Sequence, residues 1–512
     1  PIRKMSATGK CNVCKNPSSS RCSRCKLVWY CGANHQKQDW SNHSKHCKSA
    51  VEAATKGVAA GLTWTPPTVV SGGKGAASLD TFREWLSKND VKGLDRVEVA
   101  DFEQTGRGLK AIKAIGAEEV VLEVPRKLFI TTSDTVRTHP ELSKIFADVG
   151  VWTVMSHLPD AVLAIRLLFE KHSAVSSPWK PWLNVLPRSY NSCLFWPKRE
   201  LALIEGSNLH QLTNLHKQQL ESEYVTVVKQ TLAKRFPLIF KPSIYTLDEW
   251  MWAMATVFSR ATEGNVDGGE QRYIIPFMDM ANHSFDAVTT HTYDNASKSF
   301  KISTAASGIE EGSQVFINYG PMGNAKLLHV YGFTVPNNPF DYVQLFLNMS
   351  PTADMYETKK KLLAEQGIEP SPQFHLRIDQ LQERFPIDVL GTVRVQRLME
   401  HDMDRAQYAF HPEHIISEEN EVHSLKALEE GLKAMFLAYT TPYDKDLELA
   451  EAIQKGERKV SANELNALHI RMGDRMVIGK AGGHITDMTE AIRAHLQQKI
   501  DSGNTTPLVP NM

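Results

Sequence analysis

Eight side chains that could bind metal ions are crowded between residues 11 and 47. They are Cys11, Cys14, Cys22, Cys25, Cys31, His35, His43 and Cys47. The two Cys-x2-Cys pairs suit zinc because each short loop brings two thiolates onto one ion. Cys31 and His35 are four residues apart, which places both on one face of a helix, and the last two ligands have the same spacing. Eight ligands would hold two zinc ions, and metal binding would supply the folding free energy that so small a module lacks.

Two alternatives to His35 as a ligand stay open. His35 could be a bystander at a site with three protein ligands, or His46 could replace it. Six of the seven cysteines lie in the cluster, and Cys193 is the seventh. This usage is typical of a reducing compartment with metal sites, not of a disulfide-linked secreted protein. We therefore expect a cytoplasmic or nuclear protein.

The order of residues at the end of this cluster resembles that of the MYND zinc finger. The residues that carry the resemblance are Tyr30, Cys31, Gln36, Trp40, His43 and Cys47. The resemblance implies crossed sites, with Cys11, Cys14, Cys31 and residue 35 on one zinc and Cys22, Cys25, His43 and Cys47 on the other. His35 departs from the family pattern, which usually has cysteine there.

The MYND resemblance also implies binding to proline-rich peptides. The candidate aromatic contacts are Trp29, Tyr30 and Trp40, although these rings could equally form the small core of the finger. Residues 1–50 contain ten Lys and Arg side chains and one acidic residue, Asp39. This charge could attract nucleic acid, but it also solvates a small domain and offsets its thiolates. We expect no nucleic-acid partner.

A second set of candidate functional residues lies far downstream. The stretch TGRG, residues 105–108, would let backbone approach a ligand closely, although a lone Gly-x-Gly is equally a β-turn. Taken alone, Asn282-His283 would be a capping turn and Arg260 a solvated helix end. Taken alone, Tyr331-Gly332-Phe333 would be part of a hydrophobic core. Only their combination is specific.

Four stretches in order resemble a SET-domain protein methyltransferase. They are TGRGLKAIKAIGAEEVVLEVPRKL, SPWKPWLNVLP, IIPFMDMANHSF and GSQVFINYGPMGNAKLLHVYGF. The similar class is that of the Rubisco large-subunit methyltransferase and the actin-histidine methyltransferase, over about residues 85–335. The SET-and-MYND family is excluded because it carries a cysteine-rich zinc site after the SET domain, and no cysteine follows Cys193 here.

The SET resemblance implies S-adenosylmethionine as cofactor and assigns roles to ten residues. The cofactor contacts would be Gly106, Arg107, Arg260, Asp279, Asn282, His283, Tyr331, Gly332 and Phe333. Tyr319 in NYG would be catalytic, since its hydroxyl can orient the acceptor nitrogen. With a free pKa of about 10, it is unsuited to act as a strong base.

The acceptor side chain follows from three further positions. In the actin-histidine enzyme the matching arginine is followed by Gln-Asn, and a Trp precedes the Asp-Met pair. Here Ala261-Thr262 follow Arg260, and Met278 precedes Asp279. We therefore expect protein-lysine N-methylation, on a histone or a non-histone protein. Protein-histidine N-methylation and a catalytically silent MYND scaffold are the alternatives.

Strands and helices must position these residues. Alternating or apolar runs predict strands at 96–102, 119–125, 273–280, 291–304 and 313–320. The run at 161–172 predicts a helix, and Thr246 with Glu249 predicts a capping box at the start of another. From about residue 350 the apolar spacing is helical throughout.

The predicted fold is α+β and multidomain. A small two-zinc MYND finger (11–47) is followed by a Gly/Pro-rich linker (48–80) and a β-rich SET domain (81–340) with a helical insert at about 133–250. An all-α domain (341–500) similar to the Rubisco-methyltransferase substrate-binding domain would hold a protein substrate together with the SET domain. The 512 residues carry 58 basic and 58 acidic side chains and no apolar run of membrane-spanning length, so we expect no membrane partner.

Overall fold

A computed structural model describes residues 9–10, 13–14, 17–18, 30, 33–38, 76–173 and 177–502. No helix in this part of the chain is long and apolar enough to cross a membrane. The chain divides into two compact units. The first comprises residues 1–190 and 215–320, and the second comprises residues 191–214 and 321–512. The predicted domain bounds stay predictions.

Three small sheets form the β-rich part of the first unit. In the four-stranded sheet, Val97–Phe102, Gly106–Ala111 and Gln314–Ile317 are antiparallel neighbours, and Asn282–His283 pairs parallel to Gln314–Ile317. One three-stranded sheet has the order Thr289–Asp294, Ser299–Thr304 and Val120–Pro125, and the other has the order Ile130–Thr131, Gly269–Ile274 and Ala261–Val266. Gly9–Lys10 and Pro17–Ser18 form a separate pair near the N-terminus.

Helices connect the strands of the first unit, and one of them, Asn208–Tyr224, begins in the second unit. They are Ala33–Gln38, Ala76–Lys88, Thr132–Arg137, Leu142–Phe146, Val149–Met155, Pro159–His172, Lys180–Leu183, Asn208–Tyr224, Ala233–Arg235 and Leu247–Arg260, with a π-helix at Val225–Leu232. Pro159–His172 is buried at every position from 161 to 170, and Leu247–Arg260 from 250 to 257. Helices that are apolar all round belong in a core, and these two pack on one another.

The capping box predicted at Thr246 is only half formed. The Thr246 side chain accepts a hydrogen bond from the Glu249 backbone N–H at 3.3 Å. The Glu249 carboxylate does not return to the Thr246 backbone, because it pairs with Lys171 at 2.8 Å and His172 at 2.6 Å. Hydrogen bonds to charged groups are stronger than those to a neutral N–H, which accounts for the preference.

Two strand predictions in this unit need correction. The stretch 273–280 leaves the sheet after Ile274, because Pro276 lacks an N–H and Phe277 has a φ of 78°. The stretch 291–304 is a hairpin of two strands joined at residues 295–298, not a single strand. The strands predicted at 96–102, 119–125 and 313–320 are confirmed as Val97–Phe102, Val120–Pro125 and Gln314–Ile317.

The second unit is mainly helical, as predicted. Its α-helices are Lys198–Leu201, Asn324–Val330, Tyr356–Glu365, Ile387–Gln396, Glu418–Leu437, Tyr443–Gln454 and the 40-residue Ala462–Asp501. Two antiparallel strands, Tyr342–Phe346 and Gln373–Arg377, correct the expectation of an all-α region. Val343 and Leu345 are buried and alternate with more exposed neighbours, which is the period of a strand rather than a helix. The α+β class of the whole chain is confirmed.

Candidate functional site

The glycine-rich stretch forms a turn that enters the strand Gly106–Ala111. Gly106 has a φ of 68°, a conformation that L side chains rarely adopt, and no heavy atom lies within 4 Å of where its Cβ would be. At Gly108 a Cβ would lie 2.3 Å from Gln314 Nε2 and 2.8 Å from Asn282 Nδ2. A Cβ at Gly108 would therefore displace two amide side chains, whereas Gly106 is favoured by its backbone angle.

Two amide side chains hold this turn in place. Asn282 Nδ2 donates to the carbonyl oxygens of Thr105 (3.3 Å) and Arg107 (3.1 Å). The Thr105 hydroxyl donates to Gln314 Oε1 at 2.7 Å. The structure thus brings Asn282 together with Gly106 and Arg107, which lie more than 170 residues earlier in the chain. The sequence marked the stretch 105–108 as a turn, but it did not identify Gln314 as a partner of that turn.

Arg107 extends from the turn toward a different element. Its Nη1 donates to the Val185 carbonyl oxygen at 2.8 Å, and its Nε lies 3.9 Å from the Asp101 carboxylate. Asp101 is 85% exposed, so this ion pair is weak. The Val185 contact ties the turn to the segment after the short helix Lys180–Leu183.

Arg260 and Asp279 form a buried ion pair. Arg260 Nη1 lies 2.8 Å from both the carboxylate and the backbone carbonyl oxygen of Asp279, whose side chain is completely buried. Trp182 Nε1 donates to both carboxylate oxygens, at 3.2 and 3.3 Å. Sequence reasoning did not find Trp182, which lies almost 100 residues from Asp279.

The electrostatics of the pair keep the guanidinium charged and act in opposite directions on the carboxyl group. Burial by itself would lower the pKa of Arg260, but Tyr190 and Asp279 outweigh it and raise that pKa, so the guanidinium stays charged. Burial raises the pKa of Asp279, and the contacts with Arg260 and Trp182 oppose this rise. Arg260 Nε is also buried and has no hydrogen-bond partner in the described part of the chain. A donor of this kind fits a ligand carboxylate.

Strained backbone lies immediately before this ion pair. Phe277 has φ 78° and ψ −46°, and its side chain is buried. A bulky residue in this conformation is a genuine outlier, and such residues occur where the surrounding structure enforces them. The turn at Phe277 ends the strand Gly269–Ile274 and directs Met278–Met280 toward Arg260.

Tyr319 and His283 form a second pair. The Tyr319 backbone N–H donates to His283 Nδ1 at 3.0 Å, and the ring centroids are 5.1 Å apart. Because Nδ1 accepts this bond, the neutral imidazole carries its proton on Nε2. Burial lowers the pKa of His283, which keeps the ring neutral.

The Tyr319 hydroxyl has a fixed orientation. It donates to the Ala281 carbonyl oxygen at 2.8 Å. An O–H that is committed as a donor leaves the lone pairs of the same oxygen available to accept. The arrangement suits the binding of an N–H or a polarised C–H group, and it does not require Tyr319 to ionise.

Tyr331, Gly332 and Phe333 lie in the second unit. Gly332 has a φ of 85°, and a Cβ there would lie 2.7 Å from the backbone of Asn191. Asn191 Nδ2 donates to the Gly332 carbonyl oxygen at 3.3 Å, and the two aromatic rings are 6.2 Å apart. The turn is therefore fixed against residues 191–192 of its own unit, and its predicted role at a cofactor stays a prediction.

Most of the predicted metal ligands lie outside the described residues. Cys14 is half-buried, and His35 is half-buried within the helix Ala33–Gln38. Outside the described residues lie Cys11, Cys22, Cys25, Cys31, His43 and Cys47. Tyr30 is 2% exposed, which favours the core position over the peptide-contact position for this ring. A thiolate and imidazole donor set suits zinc.

Comparison with known families agrees with the predicted organisation. Residues 11–47 match the model of the MYND finger, residues 106–320 that of the SET domain, and residues 350–478 that of the Rubisco LSMT substrate-binding domain. The residues matched to the SET domain include the turn at Gly106, the Arg260–Asp279 pair and the His283–Tyr319 pair.

Relatives and solved structures extend the similarity. Actin-histidine N-methyltransferases of Gallus gallus and Mus musculus are 27% and 26% identical over 428 and 432 residues, which cover 81% of this chain and 69% and 70% of theirs. Rubisco LSMT bound to sinefungin and monomethyllysine superposes with a TM-score of 0.70 and 24% identity, over 84% of this chain and 97% of that one. The SET domain of LSMT bound to lysine and AdoHcy gives 0.69 and 23%, over 85% and 98%. These structural likenesses establish the fold.

Proposed function

We propose that this chain methylates a lysine side chain of a substrate protein. The chain is a SET-domain protein methyltransferase with a MYND finger and a Rubisco LSMT substrate-binding domain. The donor is S-adenosylmethionine, the cofactor of this class, which supplies a methyl group on a positively charged sulfur. The protein substrate is held by the SET domain and the substrate-binding domain.

The observation that carries the proposal is the double anchoring of Tyr319. Methyl transfer is an in-line displacement, so the enzyme contributes alignment and electrostatic support. The backbone of Tyr319 is fixed by His283 and its hydroxyl by Ala281. The tyrosine oxygen can therefore accept a hydrogen bond from the acceptor amine and weak C–H contacts from the methyl group without moving.

A lysine acceptor must lose its proton before it can attack. From a pKa of about 10.4, this costs about 4–5 kcal/mol at pH 7. Desolvation and a neighbouring positive charge both lower that pKa. The neutral His283 ring does not contribute to lowering the pKa of the acceptor lysine. Tyr319 is the polar group of the pair.

The residues beside the ion pair favour lysine over histidine. Ala261 follows Arg260 and Met278 precedes Asp279, so the ion pair brings these two positions into one neighbourhood. An imidazole needs hydrogen-bonding partners to present one defined nitrogen, and of Ala261, Thr262 and Met278 only Thr262 carries a strong hydrogen-bonding group. A flexible aliphatic chain needs only apolar contacts.

Protein-histidine N-methylation is the second candidate. It is favoured by the relatives named actin-histidine N-methyltransferase, which are similar over 81% of this chain. An imidazole acceptor, with a pKa of about 6.5, is already largely neutral at pH 7 and avoids most of the deprotonation cost.

Labelled-methyl transfer from S-adenosylmethionine into a cell lysate, with the modified site mapped by mass spectrometry, distinguishes the two acceptors. Methyllysine is expected, and methylhistidine would overturn the choice of acceptor. Calorimetry with S-adenosylmethionine tests the activity itself. A chain that binds none at high concentration is a MYND scaffold and not an enzyme.

The finger serves partner selection in this proposal. Two structural zinc ions would fold it, and a proline-rich peptide is its expected partner. The cysteine usage supports a cytoplasmic or nuclear location, which fluorescence microscopy of the tagged protein would test.

A further inference from the structure

The second unit contains a cavity of about 760 Å³, lined by residues from 354 to 430. This volume is in the range of ligand pockets. The lining comes from residues 354–359 at the start of the helix Tyr356–Glu365, from residues 396–400 at and after the end of Ile387–Gln396, and from the middle of Glu418–Leu437. All of it lies within the match to the substrate-binding domain.

A buried ammonium group forms part of the cavity wall. Lys359 is 5% exposed, and its Nζ donates to the Gln396 carbonyl oxygen at 3.1 Å. This is the one acceptor that the described part of the chain gives it, whereas an ammonium has three donors. Burial lowers the pKa of Lys359, Asp354 partly restores it, and Arg397 lowers it further. The two remaining N–H groups of Lys359 can donate to an acceptor that enters the cavity.

The remaining lining indicates what kind of molecule carries that acceptor. The apolar part consists of Met355, Leu398, Met399 and Ala427. Methionine side chains adapt to irregular partners. The exposed charges around them have both signs, with Asp354, Glu400 and Glu430 set against Arg397 and Lys426. A polypeptide of mixed charge complements such a surface.

We infer that this cavity is a docking pocket for a carboxylate side chain of a polypeptide, with Lys359 as the group that binds the carboxylate. The carboxylate would accept hydrogen bonds from the two remaining N–H groups of Lys359. The methionines would contact the aliphatic part of the carboxylate side chain. This inference rests on the proposed function, in which the polypeptide is the protein that is methylated. The contact lies outside the segment matched to the SET domain.

Lys359 also has a simpler explanation. Gln396 is the last residue of Ile387–Gln396, and a lysine at a helix C-terminus stabilises the carbonyl end of the helix. This explanation accounts for the N–H group of Lys359 that donates to Gln396. It does not account for the cavity beside the other two N–H groups. The two explanations differ in whether an added carboxylate reaches Lys359.

The methionines make the pocket observable without any methyl-transfer assay. In the full chain labelled with 13C at the methionine methyl groups, the signals of Met355 and Met399 are assigned from single Met→Leu variants. The probe is a capped pentapeptide with one glutamate between four alanines, and its match carries glutamine. We expect the glutamate peptide to shift both signals saturably, and the glutamine peptide to bind about tenfold more weakly, because it loses a charge-assisted hydrogen bond.

Three variants complete the test. Lys359→Met should abolish the preference for glutamate, while Lys360→Met, at the exposed neighbouring position, should leave it unchanged. Ala427→Leu narrows the cavity and leaves the charge, so it should weaken both peptides. Equal shifts with the two peptides, no shift at all, or an undiminished preference in Lys359→Met would each overturn the inference.

A kinetic measurement connects the pocket to the proposed function. With the substrate identified from the lysate, Lys359→Met should raise KM for the protein about tenfold and leave kcat unchanged. An unchanged KM would overturn the assignment to the substrate. Loss of all methyl transfer in the wild-type protein would refute the proposed function and leave the peptide measurement intact.

Discussion

Asp279→Asn tests the buried ion pair with little change in shape. The amide keeps one oxygen to accept the indole N–H of Trp182, and the backbone carbonyl of residue 279 still accepts from Arg260. The negative charge is lost. The Arg260 guanidinium, which Tyr190 still helps to keep charged, is then left only 14% exposed and without its carboxylate partner.

The expected magnitude follows from the burial of the two groups. Removing one partner of a buried ion pair costs about 3–5 kcal/mol, since the other charge stays in a poorly solvated environment. The side chains are 14% and 0% exposed, so screening by water is small. Because the backbone carbonyl contact at 2.8 Å survives, the lower end applies, and we expect a loss of about 3 kcal/mol in the free energy of unfolding.

The assay is urea unfolding followed by tryptophan fluorescence, together with calorimetry of S-adenosylmethionine binding. Asp101→Asn is the matched control, because Asp101 is 85% exposed and 3.9 Å from Arg107, and its loss should cost less than about 1 kcal/mol. The double variant Arg260→Met/Asp279→Asn buries no charge. It should therefore be more stable than Asp279→Asn alone.

Two results would refute this reasoning. If Asp279→Asn lies within about 1 kcal/mol of the wild-type protein, the pair is not the buried interaction that its geometry indicates. If the double variant is no more stable than the single one, an unpaired arginine charge is not the source of the loss.

Four further predictions concern separate features. Tyr319→Phe should lower kcat about a hundredfold through lost alignment and leave S-adenosylmethionine affinity unchanged by calorimetry; unchanged turnover would remove its catalytic role. Gly108→Ala should weaken that affinity by up to about tenfold, since its Cβ would displace the Gln314 and Asn282 amides that hold the turn, whereas Gly269→Ala meets no atom within 4 Å and should not. Burial lowers the pKa of His283, so its contribution to stability is present above pH of about 6.5 and is lost as the pH falls through its folded pKa; His283→Gln should make the acid decline of the unfolding free energy shallower. Metal analysis should find two zinc ions per chain, and a single ion would make His35 a bystander.

Local patterns were sufficient for the parts of the fold that depend on nearby residues. The strand Val97–Phe102, the helix Leu247–Arg260 and its cap at Thr246 all follow from the period or type of adjacent side chains. The strand pair Tyr342–Phe346 and Gln373–Arg377 was missed, because its partners are separated by a helix and pair through tertiary contact. The expected return of Glu249 to its cap failed for a similar reason, since a distant lysine and histidine bind its carboxylate.

The sequence by itself determined the chemistry that is available: a Cys/His cluster with zinc spacing, glycines at a turn, and Arg260, Asn282, His283 and Tyr319 in an order that resembles a SET domain. Only the tertiary structure decided how those groups are used. It committed the Asn282 amide to the turn at Gly106, aimed the Tyr319 hydroxyl at Ala281, and placed a buried ammonium beside a cavity in the second unit. The physical reason is that residue type fixes what a group can donate or accept, whereas burial and partners far along the chain determine which of those bonds forms.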